Sequence, residues 1–552
     1  MIFALFSWLY ILFILTAYGY GGFLLLKRTF GWDEYDAISL PLLLLLGLAC
    51  VNVLAAILSL FIPLGLIANI VLFIGALALA APAWRYVRLH HHFRWPDILE
   101  LSILLLALLL ILENATRLPS NPDTNLYHAQ AIRWIETYRA VPGLGNLHTR
   151  LAFNSNWLVL NALFSFAFLG LRSFHLLPGL IFLVSILYFF SGFVEFKRGD
   201  ITISALIKAV LLPISFHIWA SELSSPGTDL PTSLLIWVVL IAWIESLRQP
   251  QPEIYQSIAF VLSLTAITFK VSALPLLLLG MFWGYKNLVN KNFKVLIAMA
   301  LLGILCLLPW FARNFIVSGY WIYPAPALIP LSPVVDWRIP PDTVIHELAG
   351  IQTWARQFTL KSNLDSSGFM DWFPAWFSRQ TLSQRLLFLT SILLPPFFGI
   401  FSIFERRALD IVHVTAYAGV LFWFFTAPTI RFGFGFLVMT VLLMGTTLLL
   451  ALFDPGKWKT FGSTIFRVAA VLYLGFMLYR SVDVSTLNRR FFLPEDYRVF
   501  PTDSCQIANA AIQCAAKYNQ CGYYAFPCAV KAFPYVELRG EDWQSGFRIV
   551  QP

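Results

Sequence analysis

Fourteen apolar runs, each near the length needed to cross a bilayer, constrain this chain more than any other feature. They fall at 4–26, 39–61, 64–83, 98–115, 176–196, 203–219, 231–247, 254–269, 271–286, 294–312, 384–404, 410–427, 433–453 and 464–481. In hydrocarbon every backbone polar group must be satisfied within the segment, so runs of this kind fold as helices. Only 12% of the 552 residues are charged, about half the share of a soluble protein. The first run ends in Lys27-Arg28 and lacks a basic leader, so it reads as a retained helix rather than a cleaved signal. The net charge of +9 is dispersed over loops. That dispersion argues against nucleic-acid binding and for contact with lipid phosphates.

Basic residues orient the runs. Lys27/Arg28, Arg85/Arg88/Arg94, Lys197/Arg198, Arg248, Lys286/Lys291/Lys294, Arg406/Arg407 and Lys457/Lys459 occupy alternate loops, which are expected in the cytoplasm. Loops 116–175, 220–230, 313–383 and 428–432, with the tail from 482, are then outside, as are both termini. Arg489-Arg490 conflicts with that rule. The apolar stretch 156–171 would invert all later loops if it crossed, so it is expected to lie in or dip into the outer interface. Loop 313–383 holds Trp321, Trp337, Trp354, Trp372 and Trp376. Short amphipathic helices with Trp at the headgroups are expected there.

Cys505, Cys514, Cys521 and Cys528 crowd a polar tail too small to hold a core alone. Their spacing does not match paired zinc ligands, so two disulfides are expected, with three connectivities open. Cys50 and Cys306 sit in apolar runs and read as core.

Candidate chemistry concentrates where runs end on the outer side. Leu118-Pro-Ser-Asn-Pro-Asp-Thr-Asn-Leu-Tyr-His128 places Asp123, Tyr127 and His128 at the lip of the bilayer. A helix starting after Asp123 would aim Asp123 and Tyr127 the same way, while the competing role for Asp123 is a helix cap. Asp229, in Ser224-Ser-Pro-Gly-Thr-Asp229, is the second acid, with turn-and-cap chemistry as its alternative. Lys270, Arg313 with Asn314, and Arg431 are cations and a polar neighbour at the same depth, suited to a phosphate. For any one cation, snorkelling to headgroups is the ordinary explanation. Pro213 and Pro275 interrupt helices nearby. Nucleotide-binding and hydrolase motifs (Walker, GxGxxG, HExxH, GxSxG) do not occur.

With those residues in view, the chain resembles the GT-C superfamily of polytopic glycosyltransferases, in a bacterial branch. The resemblance rests on Asp123 with Tyr127-His128, the following Asp229, Phe269-Lys270-Val-Ser-Ala, Arg313-Asn314 with Ser318-Gly-Tyr320 and Tyr323-Pro324, and Ala427-Pro-Thr-Ile-Arg431-Phe-Gly433. It implies an all-α polytopic membrane protein, a bundle of about 14 helices with outer interfacial helices. Residues 1–97 would be added spans, 98–453 the catalytic core, 454–481 the last span and 482–552 the disulfide-stapled tail. The loop carrying Asp123 follows the fourth run, whereas family members usually place it after the first. By resemblance the donor is a polyprenyl-phosphate-linked sugar in the outer leaflet of a bacterial inner membrane. Asp123 and Asp229 would be catalytic, and Tyr127, His128, Lys270, Arg313, Asn314 and Arg431 would bind substrate. The resemblance fixes no cofactor, leaves a divalent metal open, and does not specify the acceptor. A polymerase or ligase of lipid-linked glycans, a transporter and a non-catalytic scaffold are the alternatives.

Overall fold

The computed structural model describes residues 1–31, 38–91, 95–357, 368–400, 407–452, 461–531 and 533–550. Four helices open the chain: α1 (Ile2–Phe30), α2 (Leu40–Phe61), α3 (Leu66–His90) and α4 (Ile98–Ala115). A single π turn at Thr124–His128 leads into α5 (Ala129–Thr137), followed by α6 (Leu144–Leu147) and α7 (Asn156–Leu163). Long helices resume with α8 (Leu177–Arg198), α9 (Ile203–Trp219), α10 (Asp229–Ser246), α11 (Pro252–Phe269), α12 (Leu277–Val289) and α13 (Phe293–Ser318). A second insertion holds α14 (Pro341–Gln357) and α15 (Phe369–Arg379). It precedes α16 (Leu382–Ile400), α17 (Arg407–Thr426), α18 (Ile430–Leu452), α19 (Phe461–Ser481) and α20 (Val484–Arg490).

Among the described residues, 11 helices are long and apolar enough to cross a membrane. The chain is a multi-pass, predominantly helical membrane protein. One of the expected runs is covered differently. Residues 271–286 form a 3-10 turn at Val271–Leu276 and then the 13-residue α12, while α16 and α17 cover the runs 384–404 and 410–427 as far as the described residues extend. Part of the expected run 384–404 and the basic pair's Arg406 lie outside the described residues. The stretch 156–171 does not cross: α7 has 8 residues, about 12 Å at the helical rise. All of them are buried, so it packs inside the bundle instead of resting on its surface.

The loops at the two ends of the bundle differ. At one end Lys197 bonds Asp97 at 2.5 Å, Arg467 bonds the same carboxylate at 2.6 Å, and Lys208 is held by Glu195 and, at 2.7 Å, by Glu245. These pairs tie α4, α8, α9, α10 and α19 together where the basic loops gather. The opposite end carries α5–α7, α14, α15 and the tail. Arg490, which conflicted with the charge rule, is fully buried there. Its guanidinium meets Glu113 of α4 at 2.9 Å, a carboxylate that Arg117 also reaches at 2.9 Å. In loop 313–383 the expected short helices are present as α14 and α15. Trp372 and Trp376 are buried in the protein, however, and the Trp376 indole donates to Pro428 O at 2.7 Å.

The tail departs from an all-helical reading. Its β1 (Thr502–Ile507) and β2 (Ala510–Ala515) form an antiparallel pair, β3 (Cys528–Ala529) adds in parallel, and β4 (Val536–Leu538) pairs with β5 (Phe547–Ile549). The bridges are Cys505–Cys514 and Cys521–Cys528. The first joins neighbouring strands, and the second closes a loop that docks on α5. There Gln130 donates to Gly522 O at 2.8 Å and Ala525 O at 2.7 Å, and Arg133 donates to Tyr523 O at 2.7 Å. The Gly522 N–H reaches Asn125 O within the π turn at 3.0 Å. The tail also touches the chain at Gly546 (φ 86°), whose missing side chain lets Pro142 O approach: a Cβ there would lie 2.1 Å away.

Loops this short lose about 2.5 kcal/mol of stabilisation when a bridge is removed, in the chain-entropy account. Replacing Cys521 and Cys528 by Ser is expected to raise hydrogen exchange across 124–137. Replacing Cys505 and Cys514 should raise it only within the hairpin. Equal exchange at 124–137 in both variants would show that the docked loop does not hold α5.

Candidate functional site

The end of the bundle that carries α5 contains a cavity of about 380 Å³. Asp123, Tyr127, His128, Asp229, Lys270, Asn314 and Arg431 all line it, although they come from five separate stretches of chain. Local structure explains how each arrives. Asp123 does not cap its helix: no backbone N–H reaches its carboxylate, and the segment begins helically before it. In the π turn the Ala129 N–H passes over one carbonyl to bond Thr124 O. The widened turn brings Asp123, Tyr127 and His128 to one wall, and π turns often mark functional sites for this reason. Asp229 sits in the first turn of α10, where the helix dipole favours a carboxylate. Lys270 follows directly on α11 in extended conformation (φ −156°, ψ 128°), so the chain turns out of the helix before the 3-10 turn.

Arg431 is the exception to local preference. It lies in the first turn of α18, where the dipole disfavours a cation. Two carboxylates offset that: Arg431 Nη2 meets Asp123 Oδ2 at 2.8 Å, and Nε meets Asp229 Oδ2 at 2.8 Å. The other Asp229 oxygen takes Lys270 Nζ, whose ammonium also lies 3.4 Å from the centre of the Phe432 ring. The result is an alternating chain of charge, Lys270–Asp229–Arg431–Asp123. Asp229 has both oxygens engaged and is 8% exposed, whereas Asp123 is 28% exposed and its Oδ1 is without a hydrogen bond among the described residues. Arg431 Nη1 is likewise uncommitted.

Burial disfavours charge on Asp123, but His128, Arg431 and Arg150 outweigh it and hold the carboxyl below its usual range. Burial lowers His128 to about 4, so its ring is neutral near pH 7, and neither ring nitrogen has a partner among the described residues. Burial also holds Lys270 below its ordinary value despite Asp229. Tyr127 lies edge-on to His128 and to Phe153, with centroids 4.3 and 5.8 Å apart.

Arg313 is placed elsewhere. It is buried on α13 with its guanidinium 3.2 Å from Ser59 Oγ of α2, and it is not part of the cavity wall, while the next residue, Asn314, is. Three participants were missed from the sequence. Glu222 accepts from Asn121 Nδ2 at 2.8 Å beside the acid pair. Arg150 lies over the Tyr127 ring at 6.0 Å, and Phe432 contacts Lys270. Glu222 stands seven residues before Asp229 in the same loop, a signal that was available.

Among the described residues no group of three or more His, Cys, Asp or Glu gathers as a metal site. The two cavity carboxylates are already bound by Lys270 and Arg431, a donor set poorly matched to a divalent ion.

Residues 1–438 match the model of a family described as a domain of unknown function (DUF8201). The chain belongs to that family. The match runs from α1 into α18, so it takes in every cavity residue named above and stops before the tail. No curated protein and no solved structure matches the chain.

Proposed function

We propose that this protein is a membrane glycosyltransferase of GT-C type that moves a sugar from a polyprenyl-phosphate donor to an acceptor hydroxyl. In this reading about fourteen segments cross a bacterial inner membrane and the cavity end faces away from the cytoplasm. The observation that carries the proposal is Arg431 shared between Asp123 and Asp229, beside Lys270, in a cavity built at the end of a membrane bundle. Two cations converge there, the donor set that a lipid phosphate requires, and a carboxylate oxygen without a hydrogen bond among the described residues stands beside them.

The donor phosphate would approach Lys270 Nζ and Arg431 Nη1. As it takes a share of the Arg431 charge, Asp123 loses the partner that depresses its basicity, so phosphate binding itself prepares the base. The acceptor hydroxyl then attacks the anomeric carbon and its proton passes to Asp123 Oδ1. The bond from that carbon to the phosphate oxygen breaks, and the polyprenyl phosphate leaves with the electron pair, its charge held by Lys270 and Arg431. Asp229 stays ionised throughout and positions both cations. Aromatic and aliphatic side chains make up most of the remaining wall, which suits the first isoprene units and the sugar ring.

The test is turnover of a radiolabelled polyprenyl-phosphate hexose by the full chain in nanodiscs, with membrane extract as the acceptor source. Release of polyprenyl phosphate coupled to labelled product is expected. Intact donor after prolonged incubation would put the transporter or scaffold reading ahead.

A further inference from the structure

A second cavity, of about 290 Å³, lies on the other side of the π turn. Leu126 lines it, while its neighbours Tyr127 and His128 line the first. The turn is thus a partition between two chambers. The floor of the second comes from the α6 region and the 3-10 turn at Thr149–Ala152, and the tail provides the roof.

The wall chemistry is distinctive. Asn146, His148, Thr149, Arg150, Asn519 and Tyr535 all face this space. Asn146 is buried, its amide NH₂ donates to Trp337 O at 2.8 Å, and its Oδ1 has no partner among the described residues. His148 Nδ1 accepts the Arg150 N–H at 3.1 Å, and burial lowers the ring to about 4, so it is neutral with its proton on Nε2. Amide, hydroxyl and imidazole groups set beside an aromatic ring, with one cation and no carboxylate among the lining residues, suit a ligand covered in hydroxyls. The Thr149 hydroxyl is already bonded to Glu347 at 2.8 Å, but an apolar lipid would leave Asn146 Oδ1 unsatisfied. A nucleic acid would need far more positive charge.

We infer that this second cavity binds the acceptor as a saccharide, and that Arg150 and Tyr127 form the gate through which its hydroxyl reaches Asp123. The inference rests on the glycosyl-transfer reading, since it assigns the second substrate of that reaction. Arg150 belongs to both sides: it lines the saccharide cavity, and its guanidinium lies over the Tyr127 ring of the donor cavity. The tail, which lies beyond the family match, would then tune which glycan is accepted.

Two measurements on the full chain in nanodiscs separate this inference from the reading beneath it. The first is retention of immobilised hexose, hexosamine and uronic-acid oligosaccharides, and the second is retention of a polyprenyl monophosphate by native mass spectrometry. Arg150→Gln removes the gate cation. Asn519→Gly removes an amide and keeps the positive φ of 57° that this position adopts. At least one oligosaccharide class should be retained by the parent and at least tenfold less by each variant, with lipid retention unchanged in Asn519→Gly. If the lipid is retained but no oligosaccharide is, or if both variants hold the sugar as well as the parent, the saccharide cavity is wrong and the donor site stands. If sugar is retained and lost in the variants while lipid never binds, the cavity stands and glycosyl transfer falls.

Discussion

Replacing Asp123 by Asn should lower sugar transfer by about 10²–10⁴-fold, the usual worth of a positioned general base, while leaving the fold and donor retention close to those of the parent. Asn is nearly isosteric, and its carbonyl can still accept from Arg431 Nη2, the contact Asp123 Oδ2 makes at 2.8 Å. What it loses is the capacity to take a proton at the free oxygen. The same change at Asp229 should behave differently. Asp229 holds Lys270 and Arg431 with both oxygens, so Asp229→Asn should raise the donor KM as well as lower kcat. A split of that kind separates a base from a residue that orients the cations. Full transfer activity in Asp123→Asn would remove it from the chemistry and leave it as an anchor for Arg431.

The sequence carried the membrane helices clearly because a run of apolar residues near bilayer length has few other solutions. It carried less about where each helix stops. Lys270 reads as a boundary between two runs, yet the following segment spends Val271–Leu276 on a 3-10 turn and leaves only α12. Cations were harder still. Arg313 and Asn314 are adjacent, and successive helical residues point about 100° apart. Hydropathy cannot say which of the two faces a cavity, and here it is Asn314. Asp123 and Arg431 are 308 positions apart, and their pairing depends on a tertiary arrangement that no local pattern encodes. Arg150 sits in a one-turn 3-10 segment with no flanking signal in the sequence, so only its contact with Tyr127 reveals it. The tail illustrates the opposite case. Clustered cysteines announced disulfides, but their pairing required the strand register that sets Cys505 against Ile512 and leaves Cys514 across from Asp503.

Arg431 offers the sharpest separation between holding the site together and using it. Arg431→Met should destabilise the protein by about 3 kcal/mol, because removing one member of a buried ion pair strands the other. That value is the low end of the usual range, since Arg431 keeps 24% and Asp123 28% of their side-chain surface. Asp229 retains Lys270, so the stranded charge is mainly that of Asp123. Adding Asp123→Asn to Arg431→Met should therefore recover stability, by about 1 kcal/mol or more, because the uncompensated carboxylate is gone. Activity should not return, as neither the base nor the phosphate donor is present. Arg431→Lys makes a third point. An ammonium keeps the charge but cannot span Asp123 and Asp229 as the guanidinium fork does, so polyprenyl phosphate retention should fall while Tm moves little. Thermal unfolding in detergent, read beside native mass spectrometry of bound lipid, measures all three. If the double variant were less stable than Arg431→Met by the full cost of Asp123→Asn alone, the two side chains would not be coupled, and the shared-arginine site would lose its physical basis.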